Sequence, residues 1–283
     1  MELVRPENID DAVASLGDGS VGLAGGTDLV PLVRDRLVRA ERLVELRSVV
    51  PRGIDGTTIG AGTTLSEVEV DPEVPQALRE ACAAAASPQL RAMGTIGGNL
   101  LQATRCWYWR LNFPCYLHGG DRCHAREGQH REHAIFANDR CASAHPSDPA
   151  AALLALRATL RTTRRRLPVA DLYRLPTGDD RSMTTLESDE LILELDVPQP
   201  QSSVYLKAMD RRAWAFPLVG VAAARFADGV RLGLAGVAPI PWPLETADAL
   251  AEASPLPGVR YKVEIARALV ARAVTAVGAE RAP

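Results

Sequence analysis

One segment of this chain, residues 93–148, holds almost all of its soft metal-ligating side chains. It contains all five histidines and four of the five cysteines. Such crowding of the two best soft ligands is improbable for residues scattered at random, so a metal ion or an iron–sulfur cluster is the first hypothesis for the segment. The residues are His118, His124, His130, His133 and His145, with Cys106, Cys115, Cys123 and Cys141.

Two glycine-rich turns precede the cysteines. The first follows a strand-like stretch and opens a helix-like one, and the second, MGTIGGNL at residues 93–100, leads directly into the cysteine loop. Glycines let backbone N–H groups approach a bound anion or ring closely, so the first turn is a candidate pyrophosphate cradle and the second a candidate cofactor cradle. Neither is a G-x-G-x-x-G fingerprint, and a tight strand-to-helix turn alone can require two glycines. The first turn consists of Ala24, Gly25, Gly26, Thr27, Asp28 and Leu29.

The cysteine loop, residues 106–141, has the spacing C-x8-C-x7-C-x17-C. Four thiolates suit either a tetrahedral zinc ion or an iron–sulfur cube. Zinc sites usually pair their cysteines as C-x2–4-C, and the loop has no such pair, so the wide spacing favours a cluster. Zinc and four unligated thiols remain alternatives, and for the histidines we expect loop packing or hydrogen bonds to cluster sulfides.

Composition limits the class of protein. A chain of 283 residues that is 47% hydrophobic can bury a sizeable core and has the length of two or three subdomains. The net charge of −3 comes without a long block of one sign, so we expect no nucleic-acid partner. No apolar run approaches the ~18 residues that span a bilayer, and the N-terminus lacks a signal pattern. We therefore expect a cytoplasmic protein with no membrane partner and no disulfide framework.

Hydrophobic periodicity predicts the elements. Residues 1–56 read as a β-α-β-α-β unit, and a strand from residue 59 should run into a helix capped by Ser66. A helix over 74–86 should end at Pro88 and bury Cys82 as a small core residue. After a linker at 176–180 we expect antiparallel strands and a C-terminal helix. The predicted divisions are 1–56, 57–175 with the loop 106–141, and 176–283; the predicted later strands are 191–197, 203–209, 218–227 and 230–237, and the helix is 263–277.

Five segments, in order, carry a resemblance to a known family. They resemble the FAD-binding subunit of the molybdenum hydroxylase family, which includes xanthine and carbon monoxide dehydrogenases. The resemblance implies an α+β fold, with a two-subdomain FAD-binding domain of the vanillyl-alcohol-oxidase-like type and a small α+β C-terminal domain. The segments are AGGTDL (24–29), SPQLRAMGTIGGNLLQATRC (87–106), HPSDPAAALLAL (145–156), DELILELDVP (189–198) and YLKAMDRRAWAFPLVGVAAA (205–224).

The cysteine loop indicates which members of this family the chain resembles most. It resembles the insertion of 4-hydroxybenzoyl-CoA reductase and some bacterial aldehyde dehydrogenases, which carries an extra [4Fe–4S] cluster. That resemblance implies Cys106, Cys115, Cys123 and Cys141 as the cluster ligands.

The family resemblance also implies how FAD is bound. Residues 24–29 should hold the pyrophosphate, and FAD should be noncovalent because no histidine stands out as a flavin attachment site. The remaining implied contacts are Thr95, Gly98, Asn99 and Asp148 in the second subdomain, and Ile192, Lys207 and Arg211 near the flavin. No residue is implied as a catalytic acid, base or nucleophile.

The chain has neither a molybdopterin segment nor plant-type [2Fe–2S] spacing. By resemblance it is an electron-transfer subunit between a molybdopterin-binding large subunit and a [2Fe–2S] small subunit. Alternatives are a free-standing FAD-dependent oxidoreductase and a zinc-stabilised, non-catalytic assembly subunit. Asn99 and Cys106 are seven positions apart, which at ~3.3 Å per residue is at most about 23 Å, so flavin and cluster should be neighbours.

Overall fold

A computed structural model describes residues 1–178, 180–211 and 215–278 of the chain. The N-terminal part is the predicted β-α-β-α-β unit, whose strands pair in parallel in the order β1-β3-β2. Asn8 caps the first helix, because its side chain accepts a hydrogen bond from the Asp11 amide at 2.9 Å. The elements are β1 (Glu2–Val4), α1 (Ile9–Ser15), β2 (Ser20–Leu23), α2 (Leu29–Arg34) and β3 (Arg42–Glu45).

The second part combines a five-stranded sheet with several short helices. The sheet order is β4-β5-β8-β6-β7, so a strand from beyond residue 176 completes it. The domain division at 56 and 175 stays a prediction. The elements are β4 (Ile54–Asp55), β5 (Thr58–Gly60), α3 (Leu65–Val70), α4 (Gln76–Ala84), α5 (Pro88–Arg91), α6 (Ile96–Leu100), α7 (Trp107–Arg110), α8 (His124–Glu127), α9 (Asp148–Ala155), β6 (Thr159–Thr162), β7 (Arg166–Pro168) and β8 (Ile192–Asp196).

Two local predictions in this part are wrong. Helix α3 is capped by Thr64 rather than Ser66, because Thr64 and Glu67 form a reciprocal capping box. Pro88 does not end the preceding helix, because α4 already ends at Ala84. Pro88 is instead the first residue of α5, whose N-cap is Ser87. Proline is favoured in a first turn since it lacks only an N–H that the helix would leave unpaired.

The C-terminal part is an antiparallel four-stranded sheet of order β12-β11-β10-β9, against which the last helix packs. This agrees with the predicted antiparallel strands and C-terminal helix. Of the predicted linker, Asp179 lies outside the described residues. The elements are β9 (Ser202–Ala208), β10 (Val219–Phe226), β11 (Gly229–Ala235), β12 (Trp242–Leu244) and α10 (Tyr261–Gly278).

The two larger hydrophobic cores lie on opposite faces of the C-terminal sheet. One joins α4, α9 and the five-stranded sheet to it, and Cys82 is completely buried there, as predicted. Helix α9 approaches β11 so closely that a Cβ on Gly233 would lie 2.2 Å from the Ala151 carbonyl oxygen. The other core holds α10 and also takes in Ile135 and Phe136 from the cysteine loop. The C-terminal sheet therefore supports both the glycine turns, through α9, and the end of the loop.

Candidate functional site

A cavity of about 730 Å³ opens between the two glycine turns. Its volume lies in the usual range for cofactor sites. All of the predicted cofactor-binding residues except Lys207 line it: Ala24, Gly25, Gly26, Thr27, Asp28, Leu29, Thr95, Gly98, Asn99, Asp148, Ile192 and Arg211. The structure thus brings together residues from five separate stretches of sequence.

The two turns touch through their backbones. A Cβ on Gly25 would lie 2.1 Å from the Met93 carbonyl oxygen and 3.0 Å from the Gly94 Cα, so no side chain fits there. Gly26 has a φ of +70°, a conformation that favours glycine. In the second turn Thr95 caps α6 by accepting a hydrogen bond from the Gly98 amide at 3.1 Å. The glycines therefore form a cavity wall made largely of main chain.

Asp148 lies at the cavity wall in a buried network that sequence reasoning found only in part. Its Oδ2 is 2.9 Å from the Lys207 ammonium, and its Oδ1 accepts a hydrogen bond from the Tyr205 hydroxyl. Burial raises the pKa of Asp148, opposed by the charge of Lys207 and the hydrogen bond from Tyr205. Lys207 also donates to the Ala84 carbonyl at 2.8 Å and is only 3% exposed, so it stands behind Asp148. Tyr205 was missed, although its position two residues before Lys207 puts it on the same face of β9.

Asp28 faces the cavity, but its oxygens already have protein partners. One oxygen is 2.8 Å from Arg105 and 3.0 Å from Arg110, and the other accepts the Ala103 amide at 2.8 Å. Burial lowers the pKa of Arg105 to about 10 although the charge of Asp28 opposes this. Asp28 therefore binds the first turn to the segment that carries Cys106.

The predicted cysteine ligands lie close to one another without forming a single-ion site. Among the described residues, no group of three or more His, Cys, Asp or Glu side chains could hold a metal ion. Instead, the Cys141 thiol hydrogen-bonds Cys123 and lies 3.3 Å from the Ser143 hydroxyl, while Cys106 Sγ lies 3.2 Å from His133 Nε2.

The electrostatics of these sulfurs differ. The hydrogen bond from Cys141, with amide N–H groups of Ala125, Arg126 and Ala142, lowers the pKa of Cys123 to about 5. The same contact and burial raise the pKa of Cys141. Burial raises the pKa of Cys106 to about 11, against amide hydrogen bonds to its sulfur and with smaller contributions from Cys123 and Cys115. All four sulfurs thus lie in one part of the loop, and two accept the N–H···S bonds typical of thiolates.

Aromatic rings surround these cysteines. Trp107 packs edge-on against His133, with ring centroids 4.7 Å apart, and Trp109 packs against His118 at 5.3 Å. One nitrogen on each of three rings is buried without a hydrogen-bond partner: His118 Nε2, His124 Nε2 and His133 Nδ1. The rings pack against one another beside the cysteines.

A second cavity, of about 320 Å³, connects the two regions. Cys106, Trp107 and His133 line it, and it shares Arg105 and Arg211 with the larger cavity. The start of the cysteine loop therefore adjoins the glycine-turn cavity.

Comparison with known proteins identifies this architecture. Residues 1–200 match the family described as the FAD binding domain in molybdopterin dehydrogenase. The chain is 35% identical over 253 residues to the aldehyde oxidoreductase FAD-binding subunit PaoB of Escherichia coli (strain K12), covering 82% of this chain and 79% of that protein. A 107-residue stretch, about a third of each protein, is 41% identical to the carbon monoxide dehydrogenase medium chain of Afipia carboxidovorans.

A solved structure, the cyanide-inactivated form of Cu,Mo-CO dehydrogenase, superposes with a TM-score of 0.71 and 25% identity over 98% of this chain and 97% of that one. The expected α+β fold with a vanillyl-alcohol-oxidase-like FAD-binding domain agrees with this likeness. Among the described residues, no helix is both long and apolar enough to cross a membrane. The chain belongs to the family of FAD-binding domains of molybdopterin dehydrogenases.

Proposed function

We propose that this chain is the FAD-binding, electron-transfer subunit of a molybdenum-containing oxidoreductase. The observation that carries the proposal is the cavity whose wall is the touching backbones of the two glycine turns. FAD, when bound there, supplies a carrier that accepts two electrons and passes them on. By relation to the carbon monoxide dehydrogenase medium chain, the partners are a molybdopterin-binding large subunit and a [2Fe–2S] small subunit. We also propose a cytoplasmic location for the chain.

The cavity fits FAD in the way that the family resemblance implies. Backbone amides of residues 24–29 would bind the pyrophosphate, and Thr95, Gly98, Asn99 and Asp148 would bind the rest of the dinucleotide. Ile192 and Arg211 line the same cavity and would contact the flavin, with Lys207 acting through Asp148. No histidine or cysteine is among the described lining residues, which supports noncovalent binding.

We further propose that Cys106, Cys115, Cys123 and Cys141 hold a [4Fe–4S] cluster. Each thiolate would bind a different iron, so the four sulfurs need not converge on one point as they would around a single zinc ion. Three observations support this ligand set. The sulfurs are close enough to interact electrostatically, two of them accept N–H···S bonds, and aromatic rings surround them. Cys106 also adjoins the FAD cavity through the second cavity, as neighbouring redox centres require. With the cluster we also propose that the chain is related to the 4-hydroxybenzoyl-CoA reductase type of FAD-binding subunit, whose insertion the cysteine loop resembles.

Flavin release tests the FAD proposal. The purified protein should be yellow, and denaturation should release about one FAD per chain into the supernatant. A protein that purifies without flavin, or one whose flavin stays attached to the denatured chain, contradicts this assignment.

Metal analysis tests the cluster. Protein purified without oxygen should contain iron and acid-labile sulfide in equal amounts, and Cys123→Ser should lose both. Cys82→Ser is the matched control, because Cys82 is buried in the core away from the loop and should leave the iron content unchanged. One zinc per chain with no iron would make the loop a structural zinc site.

A further inference from the structure

We propose that His133 is a positioning residue for Cys106, which donates a hydrogen bond from Nε2 to the Cys106 sulfur and so raises the reduction potential of the cluster. The inference rests on the cluster proposed above. Hydrogen bonds to ligating sulfurs are one of the means by which proteins adjust iron–sulfur potentials.

The contact is short and buried. His133 Nε2 lies 3.2 Å from Cys106 Sγ, within hydrogen-bond distance for sulfur, and the residue is only 2% exposed. A ligated Cys106 is a thiolate and can only accept a hydrogen bond, so the ring hydrogen must be on Nε2. The other nitrogen, Nδ1, is buried without a hydrogen-bond partner. In this tautomer Nδ1 carries no hydrogen, so no N–H donor is left unpaired there. The opposite tautomer would bury an unpaired N–H and would leave the thiolate without this donor.

The ring is held in place from two sides. Trp107, the residue after Cys106, packs edge-on against it with an interplanar angle of 83°. On the backbone side, Lys262 of α10 is completely buried, and its Nζ lies within hydrogen-bond distance of the carbonyl oxygens of Glu132, His133 and Gly236, at 2.8, 3.0 and 2.9 Å. The Ala134 amide next in sequence bonds the Ala142 carbonyl at 2.8 Å.

His133 therefore has a fixed backbone and a fixed ring, as a residue that orients a ligand requires. The C-terminal domain supplies that rigidity through Lys262, although the domain contributes no predicted ligand to the loop. A hydrogen bond to the thiolate stabilises the reduced cluster more than the oxidised one, because the reduced cluster carries one more negative charge.

His130 offers a matched control in the same segment. Its Nδ1 lies 2.9 Å from the Ala125 carbonyl oxygen, and its Nε2 accepts the Gly258 amide at 3.0 Å. Both of its nitrogens thus bond backbone groups. Replacing His130 perturbs the packing of the segment while leaving the donor to Cys106 in place.

The experiment is a reductive titration of the isolated protein without oxygen, in which the reduced cluster is followed by its paramagnetic resonance signal. His133→Phe keeps a planar ring and removes the donor, so at a given potential the ratio of reduced to oxidised cluster should fall about tenfold, or about 59 mV for one electron. His133→Gln, whose side-chain amide reaches close to the Nε2 position, should restore most of the shift. His130→Phe should leave the potential unchanged.

The outcomes separate the two proposals. An unaltered protein without iron refutes the cluster itself. Iron in every variant, with the His133→Phe potential equal to that of the unaltered protein, overturns the role of His133 and leaves the cluster standing. If His133→Phe loses its iron, His133→Asn serves as the variant without a donor, because the asparagine amide is too short to reach the Cys106 sulfur. Equal potentials for His133→Asn and His133→Gln would also overturn the inference.

Discussion

The glycine-turn cavity and the cysteine loop both contain many predicted site residues, yet the structure arranges those residues in different ways. The cavity is built from main chain, and its predicted residues line one surface. The loop is built from side chains, and its predicted ligands lie in contacts such as Cys123 with Cys141 and Cys106 with His133. A glycine specifies backbone conformation locally, whereas a ligand set depends on how a long loop closes on itself.

The largest effect that we expect tests the side chains behind the cavity. Lys207→Met removes the cation beside Asp148, and both side chains are only 3% exposed. Leaving a buried carboxylate without its ion-pair partner costs about 4 kcal/mol, so urea denaturation of flavin-free protein should show a loss of that order.

Two variants sharpen the Lys207 test. Arg164→Met breaks the exposed pair with Asp189 and should cost under about 1 kcal/mol. Adding Asp148→Asn to Lys207→Met should recover part of the loss, since the uncompensated charge is then gone. A Lys207→Met loss as small as that of Arg164→Met would mean that water reaches Asp148 and that this wall of the cavity is not closed.

The second prediction concerns the anchor of the loop. Burial lowers the pKa of Lys262 to about 7, whereas an unfolded lysine titrates near 10.4. Between these values the unfolded chain binds the proton that the folded chain has released, so folding stability should rise with pH in this window. The free energy of unfolding of the unaltered protein, relative to Lys262→Met, should increase by about 3 kcal/mol from pH 7 to pH 10. A difference that does not change with pH would show that Lys262 keeps its proton in the folded protein.

The third prediction tests the main-chain wall directly. Gly25→Ala places a Cβ against the Met93 carbonyl, so the turns must separate. We expect a loss of about 2 kcal/mol in stability and failure to retain FAD on gel filtration. Gly178→Ala is the control, because nothing lies within 4 Å of its Cβ position, and it should change stability by less than about 0.5 kcal/mol. Retention of FAD by Gly25→Ala would refute the close approach of the two turns.

The features that could be predicted from sequence are those that neighbouring residues determine, and the features that were missed depend on contacts between distant parts of the chain. Hydrophobic periodicity, which neighbouring residues determine, predicts the β-α-β-α-β unit, the antiparallel strands and the core position of Cys82. The cap at Thr64 was misplaced because Ser66 is followed three residues later by Glu69, just as Thr64 is followed by Glu67, so both fit a capping box. The structure selects Thr64, which also forms a β-bridge with Thr95 far along the chain. Tyr205 was missed for the same reason, since its partner Asp148 lies 57 positions away.

The smallest expected effect is at the residue that connects the two regions. Asp28→Asn keeps the side-chain shape but removes the charge that Arg105 and Arg110 share, at a site whose side chains are 17–28% exposed. Because solvent screens such a pair in part, we expect a loss of about 1 kcal/mol, decreasing as salt is added. If Asp28 couples the regions, FAD should bind a few-fold more weakly and trypsin should cleave the loop 106–141 faster in the same variant. Asp35→Asn at the end of α2, whose partner Arg34 is exposed, should change neither. Weaker FAD binding with unchanged cleavage would mean that the cavity and the loop respond independently, and that the second cavity between them connects two separately stabilised sites.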